Sequence, residues 1–275
     1  MSKIRSLISN FAVLNLKMRQ LLYFIPTFLL FFACNEAPKN SEASTAHTGR
    51  VLLQSFKGSE AFLSYQEKVD QTQDIQQQSS LLYTHVNGDL VQAYAYFDRS
   101  EELLKGSIST TTTDGQKLTH TFYFLKEELC MAIVEQESTN CGKLQVTTEM
   151  AFFNTKQDLI ATYQETKKNT YRAHSQSALS ATIKPTLQQF YQVFNQEADF
   201  ELRFIGFDEA YNHQFIQLGN SNYTTQLAYA PKETLIEAMK KAPAAWKGIP
   251  LKVQFQDVSE ANGFSYQVLT ELKKR

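Results

Sequence analysis

Between residues 89 and 165 the chain alternates apolar and polar side chains with a period of two, the pattern of half-buried strands. Leu144, Val146, Met150 and Phe152 fall on one face, with Gln145, Thr147 and Glu149 on the other, and Leu129, Met131 and Ile133 alternate likewise. Asn87-Gly88 and Asp114-Gly115 supply turn signals. The pattern predicts three β-hairpins, over 89–110, 117–136 and 144–165, joined as an antiparallel meander. The meander carries an internal echo. Tyr96-Phe97, Tyr123-Phe124 and Phe152-Phe153 are each followed by a polar stretch with an acid and then by Leu103, Leu129 or Leu159, at spacings of 27 and 29 residues. Packing alone places aromatic pairs before turns, so the echo reads as architecture and not as a binding code.

Helical spacing brackets this region. Phe62, Tyr65 and Val69 follow Ser59, a residue suited to cap a helix. Gln71–Ser80 is glutamine-rich and reads as a frayed stretch or a linker. Leu187, Phe190, Tyr191 and Phe194 form a helical stripe in the second half of Ser175–Gln196, with Pro185 placed for a first turn. Both helices are expected over one face of the sheet, which makes a two-layer α+β domain.

The last 77 residues change character. Strand patterns at Phe200–Phe207, His213–Leu218 and Tyr223–Tyr229 precede an amphipathic helix, Lys232–Lys241, which begins after Pro231. Two more strands follow, one through Leu251, Val253 and Phe255, the other through Phe264, Tyr266 and Val268 after an Asn262-Gly263 turn. Three strands, a helix and two strands resemble the OB-fold, a small β-barrel. That resemblance implies ligand contacts at the loops Phe207–Asn212 and Asp257–Gly263. Tyr211, Tyr223, Tyr229 and Trp246 of this unit are candidates to stack on sugar rings.

The N-terminus carries an address. Leu21–Phe32 is apolar apart from Pro26 and Thr27, and Lys3, Arg5, Lys17 and Arg19 precede it with no acid before Glu36. Twelve residues fall short of the roughly twenty that span a bilayer. A basic head, a short apolar stretch and Ala33 at the cut describe a secretion signal. Cys34, followed by Asn35-Glu36-Ala37-Pro38, resembles the lipobox of bacterial lipoproteins, although Phe31 and Phe32 depart from the small or aliphatic residues usual there. The resemblance implies that Cys34 is acylated and the signal removed, with Met1 or Met18 as the start. The layout is also similar to that of uncharacterised bacterial envelope lipoproteins. The expected organisation is a signal peptide (1–33), a lipidated cysteine and flexible tether (34–48), a helix-plus-meander domain (49–198) and an OB-like β-barrel domain (199–275). Asn35–Thr48 has no large apolar side chain and would reach about 20 Å as a coil.

Charge narrows the partners. The leader removes four of the 27 basic residues and none of the 28 acids, leaving a formal charge of −5. Asp199–Arg275 holds nine acids and nine bases. Neither figure suits nucleic acid, which calls for clustered Lys and Arg. The expected partners are a membrane, reached through the acyl anchor, and an envelope protein or glycan. The expected location is the cell envelope, on the periplasmic side or at the surface.

Catalytic signals are sparse. The five histidines, His47, His85, His120, His174 and His213, form no HExxH pair, and GxSxG and phosphate-loop motifs are absent. Asp208, Glu209 and His213 form the one mixed cluster, the basis of an alternative reading as a metal-assisted hydrolase. A third reading is a carrier whose aromatic sheet cups a lipophilic molecule. No cofactor is called for. Secretion favours pairing Cys130 with Cys141. A strand through Glu128–Gln136 opposes it, because Cys130 would sit about 20 Å from the loop holding Cys141.

Overall fold

The computed structural model describes residues 60–140, 143–154, 156–167, 170–173, 176–229 and 234–275. Cys34, the apolar run before it, the tether, Ser59, Cys141, His174 and Pro231 lie outside these residues. The described chain is mostly β with a few helices: α1 (Glu60–Gln71), α2 (Gln176–Asn195) and α3 (Thr234–Lys241). Its strands join one large mixed sheet, not a clear closed barrel.

The meander is present and longer than the sequence pattern indicates. Strands β2 (Tyr83–His85), β3 (Leu90–Phe97), β4 (Leu103–Thr111), β5 (Lys117–Leu125), β6 (Glu128–Asn140), β7 (Lys143–Phe153), β8 (Leu159–Lys167) and β9 (Thr170–Ala173) pair antiparallel in chain order. The glutamine-rich segment is not a linker. Gln76–Ser79 is strand β1, paired with β3 from Gln76↔Phe97 to Ser79↔Tyr94. Ladder bonding overrides the poor strand propensity, and the glutamine side chains stay exposed.

The echo is a repeated bulged hairpin. Phe97 opposes Leu103, Phe124 opposes Leu129 and Phe153 opposes Leu159, and each register then slips by one residue. The extra residues are Leu104, Cys130 and Ile160. A slip of one residue moves a side chain to the other face. Leu129 therefore leaves the face of Met131 and Ile133, on which strict alternation had placed it. Phe124, Leu129 and Phe153 join one core cluster, and Tyr123, Cys130, Met131 and Phe152 join another.

These clusters lie on opposite faces, which corrects the two-layer expectation. Val69, with Phe62 and Tyr65 of α1, packs on the Tyr123–Met131–Phe152 face. Ile183, Phe190 and Val193 of α2 pack on the Phe122–Phe124–Phe153 face. Consecutive Phe122, Tyr123 and Phe124 make β5 apolar on both sides, so both sides need a cover. Pro185 also differs from expectation: it lies inside α2, not in its first turn. An interior proline costs about 3 kcal/mol, and burial of Ile183, Leu187, Phe190 and Val193 on both sides of it holds the helix together. Gly106 lets α2 approach. A Cβ there would stand 2.6 Å from the Phe190 ring.

The C-terminal strands are β10 (Leu202–Ala210), β11 (His213–Gly219), β12 (Tyr223–Ala228), β13 (Pro250–Ser259) and β14 (Ser265–Lys274). β10–β11, β11–β12 and β13–β14 are extended antiparallel pairs. β10 meets β13 at Leu202↔Leu251 and Arg203↔Pro250 alone, and β12 meets β14 in parallel at Ala228↔Val268 alone. β12 also pairs with β2, so the sheet runs on into the meander. The boundary expected at residues 198 and 199 falls inside a common core, in which Tyr83, Phe122 and Phe190 cluster with Phe200, Leu218 and Ile236. Two buried glutamines stitch the halves. Gln196 bonds both the N–H and the C=O of Val253, at 3.0 and 2.9 Å. Gln267 accepts from Leu82 N–H at 2.8 Å and donates to Ser80 O at 3.1 Å.

Candidate functional site

The two turns singled out by the OB-like order converge. β10 and β11 are joined by Tyr211-Asn212, with φ of +54° and +65°. β13 and β14 are joined by Glu260–Phe264, closed by Glu260 N–H to Phe264 O at 2.8 Å, with Gly263 at φ +85°. Tyr211 and Phe264 meet across the gap with ring centroids 5.0 Å apart. Phe264 stacks on Tyr266 at 5.3 Å, and Tyr266 meets His213 at 4.7 Å. The result is a row of four rings from two hairpins, with Tyr211 60% exposed and the others half-buried. Phe215 is buried edge-on to His213 and Tyr266 and supports the row from below.

Glu260 ties the polar side of the row. Its Oε1 lies 3.0 Å from His213 Nε2, and its Oε2 accepts from Asn262 Nδ2 at 3.1 Å. Desolvation, and then the neighbouring Glu260 carboxylate, raise the Tyr266 hydroxyl above its ordinary pKa. No Lys or Arg occurs in 207–215 or 257–266, and those segments hold Asp208, Glu209, Asp257 and Glu260.

Of the four rings named from sequence, Tyr211 alone belongs to this row. Tyr223 starts β12, at the far end of β11 from the Tyr211 turn, and packs on Phe200 at 4.3 Å and His85 at 4.9 Å. Burial raises its hydroxyl pKa. Tyr229 is buried against Phe207, with Lys240 Nζ 5.1 Å from its ring centroid. Trp246 packs on the core under Lys274 Nζ at 4.3 Å. His213, Phe264 and Tyr266 were missed as partners of Tyr211. Their signal was an aromatic at every second position beside both turns: Tyr211, His213 and Phe215, then Phe264 and Tyr266.

Asp208, Glu209 and His213 do not converge. Asp208 opposes Phe215 and Ala210 opposes His213, so Asp208 and His213 share a face; Glu209, opposite Gln214, takes the other. Asp208 Oδ2 accepts from Gln217 at 3.2 Å and Gln226 at 3.5 Å, while His213 faces Glu260. Among the described residues no group of three His, Cys, Asp or Glu could hold a metal ion.

Two hollows elsewhere are shallow and polar. One of about 300 Å³ lies between α2 and the turn Ala198–Phe200, lined by Thr186, Gln188, Gln189, Gln192 and Asp199 with Pro185 and Phe200. Another of about 330 Å³ lies between the β3–β4 and β5–β6 turns, against Glu101, Glu102, Lys126 and Glu127. Neither has the apolar lining a lipophilic cargo calls for. Cys130 is a free, buried thiol that donates to Tyr123 O at 3.2 Å, and burial pushes its pKa up to about 11. β6 runs ten residues beyond it to Asn140, about 33 Å of strand. No helix among the described residues is long and apolar enough to cross a membrane.

No protein-family model, curated protein or solved structure matches the chain.

Proposed function

We propose that this chain is a bacterial envelope lipoprotein, held to a membrane by an acylated Cys34, whose folded part binds a ligand or partner without chemistry of its own. The basic head, the apolar run Leu21–Phe32 and Cys34 support the anchor. The cyclic pairing β10–β11–β12–β14–β13–β10 supports an OB-like unit. One observation carries the binding reading: the Tyr211–Phe264 contact at 5.0 Å, which joins two distant turns into a row of rings with Tyr211 open to solvent.

Two experiments test the halves separately. Intact-mass analysis of the membrane-extracted protein should find a diacylglyceryl group on residue 34 and nothing before it. Replacing Cys34 by Ser should abolish the modification and release the chain from the membrane; unchanged processing and attachment would remove the anchor. Pull-down from envelope extracts should recover a protein or glycan with the full chain and lose it with Tyr211→Ala/Phe264→Ala. Deleting the whole of 199–275 is a poor test, because that segment shares its core with the meander.

A further inference from the structure

We infer that the row Tyr211–Phe264–Tyr266–His213 stacks on the sugar rings of an uncharged glycan, and that Tyr211 is present for this contact at the expense of its own turn. The inference rests on the binding reading above and narrows it to one ligand class.

The backbone supplies the first argument. A two-residue hairpin turn with positive φ at both centres favours Asn-Gly. Asn212 suits its position, but a bulky residue at φ +54° is strained. The β5–β6 turn has the same backbone, with Lys126 at +53° and Glu127 at +64°. There the Lys126 N–H is taken by Glu102 Oε1 at 2.9 Å and the side chains are charged and solvated. At the β10–β11 turn the strained residue instead exposes 60% of an aromatic side chain to solvent.

Charge and geometry choose the ligand. Four acids and no Lys or Arg in 207–215 and 257–266, the stretches around the two turns, disfavour phosphates, nucleic acid and anionic headgroups there. A cationic ligand would need steep aromatic walls and a free carboxylate. The ring planes here lie 17–46° from one another. Glu260 spends one oxygen on His213 and the other on Asn262. What fits is a neutral molecule with apolar C–H faces to stack and hydroxyls to bond. Asn212, exposed, supplies an amide beside Tyr211, and Asn262, also exposed, supplies one beside Phe264.

The test uses the full chain in detergent, titrated calorimetrically with maltoheptaose, cellohexaose and chitohexaose, with heparin as the anionic control. Binding of a neutral oligosaccharide, weakened about tenfold by Tyr211→Ala or Phe264→Ala, supports the inference, and so does failure of heparin to bind. Tyr211→Asn should weaken binding equally yet hold or raise the melting temperature, because asparagine suits the turn. If no oligosaccharide binds while a protein crosslinks to the chain in a Tyr211-dependent manner, the sugar assignment falls and the binding face stands. A melting temperature lowered by Tyr211→Asn, without loss of any ligand, would make the row mere packing and overturn both.

Discussion

Aromatic residues beside turns meet opposite fates in the two halves of this protein. In the meander, Phe122, Phe124 and Phe152 are 0–2% exposed, because α1 covers one face of the sheet and α2 the other. In the C-terminal strands, α3 sends Ile236 and Met239 into the core, while Tyr211, Phe264, Tyr266 and His213 lie on the opposite side, with no helix of the described residues over them. The residue types are alike; the cover differs. Aromatic density by itself therefore says nothing about binding until one knows which face a helix occupies.

The sharpest way to break this contrast is to truncate one covered ring and one uncovered ring. Phe190 sits 1% exposed against Phe122 and Gly106. Phe190→Ala should cost about 3–5 kcal/mol in urea unfolding. Phe264→Ala, on the uncovered row, should cost roughly 1 kcal/mol or less. Equal losses would mean that the row is core after all.

His120 gives the next largest effect, and pH reads it. It is buried against Phe122, and burial lowers its pKa to about 4 from the ordinary 6.5. Between those values the unfolded chain binds the proton and the folded chain does not, so stability falls as pH drops from about 6.5 toward 4. The loss should reach about 3 kcal/mol, measured as the change in unfolding free energy between pH 7 and pH 4. His120→Gln should flatten that segment of the profile. An unaltered slope would place its origin elsewhere.

Gly106 tests how α2 is seated. Gly106→Ala puts a methyl group 2.6 Å from the Phe190 ring, and overpacking of this kind costs about 1–3 kcal/mol. Pairing it with Phe190→Leu should recover part of the loss, because the smaller side chain leaves room. Additive losses in the double variant would show that the two residues do not compete for the same space.

These effects mark what the sequence made legible. Period-two alternation located the three main hairpins and the C-terminal element order, because each strand has a face whose apolar side chains repeat in register. It failed wherever the backbone slips by one: the bulges at Leu104, Cys130 and Ile160 are invisible to a strict period and decide which face receives Leu129. It failed again at Gln76–Ser79, where pairing with β3 and not composition makes the strand. For the site, Tyr211 and the two turns were readable. Phe264 and Tyr266 were not singled out and His213 was read only with Asp208 and Glu209, because whether a strand aromatic points into a core or out of it depends on the partner strand.

The smallest effect tests the turns at one end of the meander. Five hairpins share a three-residue loop closed by the same backbone bonds, opening at His85, Asp98, Thr112, Asn154 and Glu260. Three of them place Gly88, Gly115 or Gly263 at positive φ; the other two place Glu101 at +64° and Gln157 at +62°. The loops without glycine open with Asp98 or Asn154. Asp98 Oδ1 accepts from the N–H groups of Ser100 and Glu102, at 2.8 and 2.9 Å. Asn154 Oδ1 accepts from those of Lys156 and Asp158, both at 2.9 Å. The side-chain oxygen thus braces a backbone that a non-glycine residue resists. Glu101→Gly should relieve about 1 kcal/mol of left-handed strain, less the entropy that glycine restores to the unfolded chain, for a small net gain. Bonds from Glu102 N–H and from Ser100 hold the Asp98 carboxyl below its ordinary pKa. Its bracing is therefore present above the normal aspartate range and lost as pH falls through the lowered folded value. Glu101→Gly should blunt this acid sensitivity of the β3–β4 turn, read by hydrogen exchange at the amides of residues 101 and 102. A variant that is less stable than the parent at neutral pH would show that Asp98 compensates for nothing.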